Sequence, residues 1–265
     1  DHSDSNGDVK TELDASGVRA SSTGVERDYD QEKKNELVDF YLTYDKNLPS
    51  LSSKINVMGG YEWQHFWSKS SAFEVDRNNE TIEDSKNETE NYLVSFFGRA
   101  NYTFKDKYIV TATLRKDGSS RFHKDNRWGT FPSAAFAWRM SEESFLKNID
   151  VVSNAKVRLG YGITGQQELN NGDYPYMGTY RLSDSRTRYQ FGNQFYTLIR
   201  PDGYDEGLQW EKTTTYNAGL DFGFFNSRIN GSFDIYKRKT EDLLNTIPVP
   251  AGTNFTDRLL TNVGD

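Results

Sequence analysis

Apolar and polar residues alternate along most of the chain with a period of two. The stretch YIVTATLR, which begins at Tyr108, shows this pattern, because its tyrosine, valine, alanine and leucine occupy every second position. Successive side chains of a β-strand point to opposite faces, so this period predicts strands with one apolar and one polar face. No stretch has the period of a long amphipathic helix. Eight strands are predicted, over residues 35–46, 53–68, 91–104, 107–116, 128–138, 155–165, 209–225 and 227–240.

The segment WGTFPSAAFAW has a tryptophan at each end, Trp128 and Trp138. Pro132 would break a helix at its middle, whereas in a strand the even separation places both tryptophans on one face. Ten steps of roughly 3.3 Å cover about 33 Å, and a tilt near 40° reduces this to a height of about 25 Å. The apolar band of an outer-membrane β-barrel has about this height and carries aromatic residues at both edges.

The connections between the predicted strands differ strongly in length. Two are tight, KD at 105–106 and NS at 226–227, whereas 68–91 and 166–208 are long and polar. Short turns at one end and long loops at the other are typical of outer-membrane barrels. The stretch SEESFLKN is predicted as a short helix, with Ser141 as its N-cap and the charges of Glu142 and Glu143 in its first turn.

Composition agrees with aromatic-rich strands joined by polar loops. Among 265 residues, 35% are hydrophobic and 14% aromatic, and the mean hydropathy is -0.82. No run approaches the roughly 18 consecutive apolar residues of a membrane helix, so strands are the only way for this chain to cross a bilayer. The net charge of -7 argues against a nucleic-acid surface. Cysteine is absent, which excludes disulfides and thiolate metal sites within this stretch.

Alternation by itself leaves two architectures open. A soluble β-sandwich would show the same pattern with its apolar face turned inward. A barrel should instead collect aromatic residues at the two rims of its apolar face. Four tryptophans fall near the long-loop end and the other aromatics near the tight turns, which favours a barrel. The predicted membrane girdle consists of Trp63, Trp67, Trp128, Trp210, Trp138, Tyr102, Phe104 and Tyr108.

Signatures of enzymatic chemistry are missing from the sequence. The three histidines, His2, His65 and His123, have no second histidine at a metal-binding spacing. No GxSxG, GxxxxGK[ST] or GxGxxG motif occurs. We therefore expect a protein that is not an enzyme and that needs no cofactor.

One polar run resembles a calcium-binding loop. Asp4, Asn6 and Asp8 stand at alternate positions, as in an EF-hand. Val9 occupies the sixth position, which needs glycine, and Ala15 stands where the bidentate acid belongs. We interpret this run as a solvated loop that binds no calcium.

Two groups of polar and aromatic residues are candidates for function. Charged residues on the polar face could pair with each other and with a plug domain, or could line the path of a solute. Aromatic residues in the long loop could stack on sugar rings, contact a lid protein, or fold the loop onto itself. The charged group is Arg99, Arg115, Arg139, Arg158, Asp221 and Arg238, and the loop group is Tyr174, Tyr176, Tyr180, Tyr189, Phe191, Phe195 and Tyr196.

Four stretches together resemble the barrel of SusC/RagA-type TonB-dependent outer-membrane transporters of Bacteroidetes. They are NYTFKDKYIVTATLRKDGSSRFHKDNRWGTFPSAAFAWRMSEESFL (101–146), KVRLGYGITGQQ (156–167), LQWEKTTTYNAGLDFGFFNSRINGSFDIYKRKTEDLL (208–244) and PVPAGTNF (248–255). The resemblance implies a barrel of about 22 strands with an N-terminal plug. It also implies energy supplied through TonB and a SusD-like surface lipoprotein that captures glycans or peptides.

These observations define the expected fold and function. The fold class is all-β, a segment of about eight strands from a larger transmembrane antiparallel barrel with long extracellular loops. We expect residues 1–34 to be an extracellular loop, 35–240 the strands with their loops, and 241–265 a further loop and the start of another strand. No plug is found, and a longer chain is expected to supply the plug and the contact with TonB.

The expected function is import of an oligosaccharide or peptide across the outer membrane, with lipid, a SusD-like lipoprotein and the TonB complex as partners and no nucleic acid. A soluble carbohydrate-binding β-sandwich and a small outer-membrane barrel of structural or enzymatic role remain alternatives.

Overall fold

The computed structural model describes residues 2–10, 26–75, 81–168, 172–182, 188–250, 256 and 258–264. Almost all regular structure within these ranges is antiparallel β-strand. The strands are His2–Lys10 (β1), Glu26–Leu48 (β2), Ser53–Val75 (β3), Thr81–Phe104 (β4), Tyr108–Ser119 (β5), Trp128–Arg139 (β6), Val152–Gln166 (β7), Tyr180–Leu182 (β8), Arg188–Phe191 (β9), Gln194–Thr197 (β10), Ile199–Pro201 (β11), Glu211–Phe224 (β12), Ile229–Glu241 (β13), Leu243–Pro248 (β14) and Arg258–Val263 (β15).

Nine of these strands form one sheet in the order β1-β2-β3-β4-β5-β6-β7-β12-β13. The long connection between β7 and β12 contains two small ladders, β8 with β11 and β9 with β10, and β14 pairs with β15. Each of the eight predicted strands coincides with a strand of the main sheet, so the all-β prediction is confirmed. No helix within the described ranges is long and apolar enough to cross a membrane.

Strands also occur where the sequence pattern predicts loops. Residues 26–34 belong to β2 and pair with β1, although 1–34 is expected to be a loop, and β3 and β4 extend into the connection predicted at 68–91. Both faces of these segments are mainly polar, with only scattered apolar residues such as Phe73, Val75 and Ile82, so they give little alternation to detect. The ladder itself needs only backbone hydrogen bonds, which polar residues can make equally well. Residues 11–25 and 251–255 lie outside the described part of the chain.

Contacts within the chain divide it into two units. The first consists of Asp1–Val38 and Trp63–Leu93, and the second of Asp39–Glu62 and Val94–Asp265. Strands β2, β3 and β4 contribute residues to both units.

The tight turns of the second unit are formed by residues with positive φ. Lys105 and Asp106 both have φ 53°, and Asn226 and Ser227 have φ 56° and 62°. A pair of central residues in the left-handed region defines a type I′ turn, whose twist matches that of the strands it joins. The predicted two-residue turn at 105–106 is therefore confirmed. The connection between β12 and β13 is longer than predicted, because β12 ends at Phe224, β13 begins at Ile229, and Phe225 also has a positive φ of 55°.

Neighbouring turns at this end of the second unit, the turn end, are joined to each other through the backbone. The bonds run from Lys105 N to Ser52 O (2.7 Å), from Arg139 N to Lys107 O (2.8 Å) and from Phe225 N to Val151 O (2.8 Å). Because each bond fixes one turn against the next strand or turn, the end of the sheet is a continuous rim.

The helix predicted after β6 is absent. Met140–Glu142 form one 3₁₀ turn that starts from Arg139 without a side-chain cap, so Ser141 is not an N-cap. Glu143 is already extended, with ψ 149°. Its carboxylate accepts hydrogen bonds from β5, β6 and the turn between β4 and β5, which explains why it does not behave as a first-turn helix charge.

The apolar face of the main sheet is exposed. Within the second unit Phe96, Leu114 and Leu220 keep 51%, 55% and 39% of their surface accessible. In a soluble sandwich these side chains would be sealed against a second sheet. Their exposure contradicts the sandwich alternative for the described residues and fits a face that meets lipid.

Candidate functional site

The polar face of β7, β12 and β13 carries a cluster of four paired charges. Arg158 donates through Nη2 to Asp221 Oδ1 at 2.8 Å and to Asp234 Oδ1 at 3.0 Å. Lys156 Nζ lies 2.8 Å from Asp221 Oδ2. The two cations therefore neutralise the two carboxylates within the wall, and the cluster ties three neighbouring strands together.

Gly219 makes room for this cluster. It pairs in register with Arg158 on one side and with Asp234 on the other. A Cβ at this position would lie 2.5 Å from Asp234 Oδ1 and 2.8 Å from Arg158 Nη2. The guanidinium therefore crosses β12 directly above the glycine. Arg158 and Asp221 are among the charges predicted from the sequence, whereas Asp234 is not recognisable there as their partner, because pairing across two strands depends on register.

A second cluster surrounds Arg115 on the polar face of β3, β4 and β5. Arg115 donates through Nε to Asp117 Oδ1 at 2.7 Å and through Nη2 to Glu62 Oε1 at 3.0 Å. Nη2 also donates to the buried hydroxyl of Ser95 at 2.8 Å. All of these contacts are internal to the wall, which agrees with a structural role for this arginine.

The other predicted polar-face charges belong to neither cluster. Arg99 and Arg139 are exposed, and the guanidinium of Arg238 lies 4.9 Å from the ring centre of Tyr236. The predicted charged residues therefore form two groups. One group is paired within the wall (Arg115, Arg158 and Asp221), and the other remains exposed (Arg99, Arg139 and Arg238).

Four of the five buried hydrophobic residues described in the second unit gather at the loop end of β6, opposite the tight turns, and the fifth, Leu260, lies on β15. Phe122 and Leu208 are fully buried, and Trp210 and Phe131 are 4% and 7% exposed. The Trp210 ring lies 5.3 Å from the rings of both phenylalanines, and its Nε1 donates to Arg127 O at 2.9 Å. We call Phe122, Phe131, Leu208 and Trp210 the loop-end core.

This core corrects one predicted girdle residue. Phe131 pairs in register with Arg115, so it lies on the polar face, and Trp210 packs against it there. Trp210 therefore cannot face lipid. Trp210 precedes β12, which begins at Glu211. Because the chain is not a strand at residue 210, the alternation of β12 wrongly predicts that Trp210 lies on the apolar face. The Phe131 ring also fills the space above Gly129 and Gly165.

Near the turn end, three predicted girdle residues form a row of stacked rings. Phe104 stacks on Tyr108 at 6.2 Å between ring centres, and Tyr108 on Trp138 at 6.4 Å. Glu143 accepts hydrogen bonds from Tyr108 Oη at 2.7 Å and from Trp138 Nε1 at 3.2 Å, and its Oε2 lies 2.9 Å from Lys107 Nζ. Lys107 and these two donors lower the pKa of Glu143 to about 2.

The remaining aromatic residues of the predicted girdle also lie beside polar groups. In the second unit Trp128 is 6.2 Å from Phe96, and Lys116 Nζ is 5.5 Å above its ring. The hydroxyls of Tyr102 and Ser53 are 2.9 Å apart.

In the first unit Trp63 and Trp67 lie beside a cluster of His65, Glu36, Glu88 and Glu90 that was not among the predicted sites. His65 places Nδ1 3.0 Å from Glu36 Oε2 and Nε2 2.9 Å from Glu90 Oε1. Trp63 lies 5.8 Å from the imidazole, and Trp67 donates through Nε1 to Glu88 at 2.9 Å. The sequence signal for this group is His65 itself, a histidine on the same strand face as Trp63 and Trp67.

The aromatic residues of the long connection fall into two groups. Tyr176 lies 6.3 Å from Tyr174 and 5.8 Å from His123 between ring centres, so this pair of tyrosines packs against the connection between β5 and β6. Tyr189 and Tyr196 face each other across the β9–β10 ladder. The second group is largely exposed and comprises Tyr180, Tyr189, Phe191, Phe195 and Tyr196.

The described residues contain no group of three or more His, Asp or Glu side chains arranged to hold a metal ion. Asp4, Asn6 and Asp8 belong to strand β1. The absence of a calcium site and of any other cofactor remains a prediction.

Comparison with known proteins gives one family and several relatives. Residues 2–265 match the family described as TonB dependent receptor-like, beta-barrel. The chain is 45% identical over 251 residues to TonB-dependent receptor SusC of Bacteroides thetaiotaomicron, covering 91% of this chain and 24% of that protein. It is 36% identical over 245 residues to TonB-dependent receptor P3 of Formosa agariphila, covering 87% of this chain and 24% of that protein. The chain thus spans about a quarter of the length of these relatives.

Solved structures show the same fold. The RagAB peptide importer in its closed-closed state superposes with a TM-score of 0.78 at 21% identity, covering 99% of this chain and 29% of that one. Its open-open state gives a TM-score of 0.72 at 22% identity, covering 91% of this chain and 27% of that one.

Proposed function

The chain belongs to the TonB-dependent receptor β-barrel family, and we propose that it forms part of the barrel wall of an outer-membrane importer. The complete protein would take up a nutrient, an oligosaccharide or a peptide, with energy supplied through TonB. The importer would be a transporter rather than an enzyme.

The observation that supports this proposal most directly is the division between the two faces of the sheet. The apolar face leaves Phe96, Leu114 and Leu220 exposed. The opposite face carries paired charges, including Arg158 with Asp221. A wall between lipid and a watery channel needs these two properties on opposite sides of the same strands.

A surface lipoprotein of the SusD type is the proposed partner at the loop end. The β9–β10 hairpin supports this proposal, because Phe191 and Phe195 are 70% and 61% exposed on it. Large aromatic residues that protrude from a polar loop are typical of surfaces that bind another molecule. The hairpin would contact the lipoprotein, the captured solute, or both.

Uptake by cells tests the proposal. The gene for the complete receptor would be deleted from its host, and uptake of radiolabelled oligosaccharides and oligopeptides would be compared with that of the parent and of a TonB-deficient strain. The expected result is that both mutations abolish uptake of the same solute and that the cloned gene restores it. Uptake that is unaffected by loss of TonB would contradict the proposed energy source, and unchanged uptake of every solute in the deletion strain would contradict the proposed function.

A further inference from the structure

Two exposed lysines project from the apolar face of the second unit. Lys116 continues the apolar positions of β5 beyond Leu114, because it lies two residues further along the strand. Lys237 lies on the same face of β13, because it pairs in register with Tyr216. Both lysine side chains therefore stand on the side of the sheet that carries the exposed hydrophobic residues.

The two lysines lie at the same height along the sheet. Each is the ninth residue of its strand counted from the turn end, since β5 begins at Tyr108 and β13 at Ile229. Eight steps of roughly 3.3 Å cover about 26 Å, which a tilt near 40° reduces to a height of about 20 Å. The apolar band of an outer-membrane barrel is about 25 Å tall, and lysines extend their ammonium groups towards polar surroundings. Both ammonium groups therefore reach the boundary of the band on the side of the long loops.

An aromatic ring accompanies each lysine. Lys116 Nζ lies 5.5 Å from the centre of the Trp128 ring. This ring is held against β5, since a Cβ added at Gly118 would be 2.8 Å from its Cζ3. Lys237 stands beside Tyr216, whose side chain is 56% exposed. A cation above an exposed ring is suited to a molecule with a charged head group and apolar chains.

Neither lysine is neutralised within the part of the chain that the structure describes. Lys116 and Lys237 form no ion pair with its carboxylates, and the apolar-face positions of β5, β6, β7 and β12 contain no Asp or Glu. The rim at the turn end differs, because Lys107 lies 2.9 Å from Glu143. The loop end of the apolar face thus carries positive charge that the turn end lacks.

Phosphate is the anion that a membrane offers at this height. Under the proposed function the loop end faces the cell exterior, so the apolar face meets the outer leaflet of the outer membrane there. The glycolipid of this leaflet, lipid A, carries phosphate groups where its sugars meet its acyl chains. These phosphates are monoesters, which carry a charge of about −1.5 to −2 at pH 7, and a lysine ammonium binds phosphate as a point charge.

We infer that the loop end of the apolar face binds the phosphate groups of the outer-leaflet glycolipid through Lys116 and Lys237, with Trp128 and Tyr216 against the lipid beside them. The inference rests on the proposed barrel wall and goes beyond it, because it concerns the outward face and is independent of the imported solute.

Lipid retention by the purified receptor tests this surface. The full-length receptor would be stripped of lipid in a mild detergent and titrated with diphosphoryl lipid A, and native mass spectrometry would count the lipid molecules that it retains. The comparison ligands are the same lipid A after chemical removal of its phosphates and dioleoylphosphatidylglycerol, whose diester phosphate carries a single charge. We expect lipid A to be retained most tightly and the dephosphorylated glycolipid least.

Substitutions then assign retention to the two lysines. Lys116→Gln and Lys237→Gln should each lower the number of retained lipid A molecules by one, and refilling each site should need about fivefold more lipid, the contribution of one lysine near a membrane surface. Lys116→Arg should keep the lipid, since a guanidinium also binds phosphate. Lys124→Gln is the matched control, because it removes the same charge at an exposed position in the connection between β5 and β6. Its lipid count should equal that of the wild type.

Each contrary result has its own meaning. An unchanged lipid count in the combined Lys116→Gln and Lys237→Gln variant, or equal retention of the dephosphorylated glycolipid, would overturn the phosphate surface. Retention of phosphatidylglycerol as tightly as lipid A would overturn the choice of glycolipid. Failure of the importer proposal would instead appear as normal solute uptake in cells that lack the receptor, whatever lipid the purified receptor retains.

Discussion

Side chains at the turn end find their partners within this chain, whereas the aromatic side chains of the β9–β10 hairpin in the long connection are exposed. At the turn end, Glu143 accepts hydrogen bonds from Lys107, Tyr108 and Trp138. On the hairpin, Tyr189 and Phe191 are 57% and 70% exposed. The first region is complete within this chain, whereas the second presents large rings to its surroundings. This difference places internally satisfied side chains in the wall and its rim, and, under the proposed function, the exposed loop aromatics would serve recognition.

Substitution of Trp210 should have the largest effect on stability. It tests whether the loop end, like the turn end, contributes to the free energy of unfolding. Trp210→Ala would remove a ring packed against Phe122 and Phe131, and we expect a loss of about 3–5 kcal/mol in the free energy of unfolding. Urea unfolding of the full-length receptor in lipid vesicles measures the change. Trp128→Ala is the control, since Trp128 is 44% exposed and should cost less. Equal losses would contradict the loop-end core.

Substitution of Gly219 tests the charge cluster in the wall. Gly219→Ala would place a methyl group against the Arg158 guanidinium and should destabilise the receptor by about 1–3 kcal/mol, as overpacking does. At Gly160 the nearest heavy atom to an added Cβ is 3.8 Å away, so Gly160→Ala should change stability by no more than about 0.5–1 kcal/mol. The same unfolding assay compares them. A Gly219→Ala variant as stable as the Gly160→Ala variant would show that the crossing is not tight.

Acid should weaken the turn end through Glu143. Its pKa is lowered from 4.5 to about 2, so its contribution to stability is complete above about pH 4.5 and is lost as the pH falls towards 2. The melting temperature of wild type should therefore drop more steeply over this interval than that of Glu143→Gln. Glu142→Gln, at a more exposed position, should behave like wild type. Parallel wild-type and Glu143→Gln curves would exclude this role for Glu143.

Substitutions on the aromatic hairpin should affect stability least. Tyr189→Ala combined with Tyr196→Ala removes a cross-strand pair whose rings are largely exposed, and we expect a change within about 0.5 kcal/mol. Uptake of solute, or binding of the surface lipoprotein, should fall in the same variant. Unchanged uptake and unchanged lipoprotein binding would remove the hairpin from the proposed recognition surface.

Local chemistry explains which parts of the fold the sequence predicts. Lys105 and Asp106 lie between two alternating segments, and a two-residue connection leaves little choice but a tight hairpin turn. Trp128 and Trp138 share a face because their separation is even. Residues 26–34 follow neither rule, since both of their faces are polar. Their strand is visible only through its pairing with β1.

The candidate site is less predictable, because its partners come together through register. Arg158 and Asp221 are 63 residues apart in sequence, and Asp234 joins them only because β12 and β13 pair at Gly219. Trp210 is difficult to place for a different reason. Its aromatic ring suits a membrane rim as well as a protein core, and only the backbone beyond the end of β12 decides between them. Composition and period do not contain that information.

The crossing of Arg158 above Gly219 constrains how the two positions can diverge among related receptors. An arginine at 158 forbids a larger residue at 219, whereas a shorter side chain at 158 would remove that restriction. Substitution at 219 should therefore be found in lineages that have already lost the arginine, and rarely the reverse. This contact would therefore be detected in the order in which the two positions mutate, rather than in how well either position alone tolerates substitution.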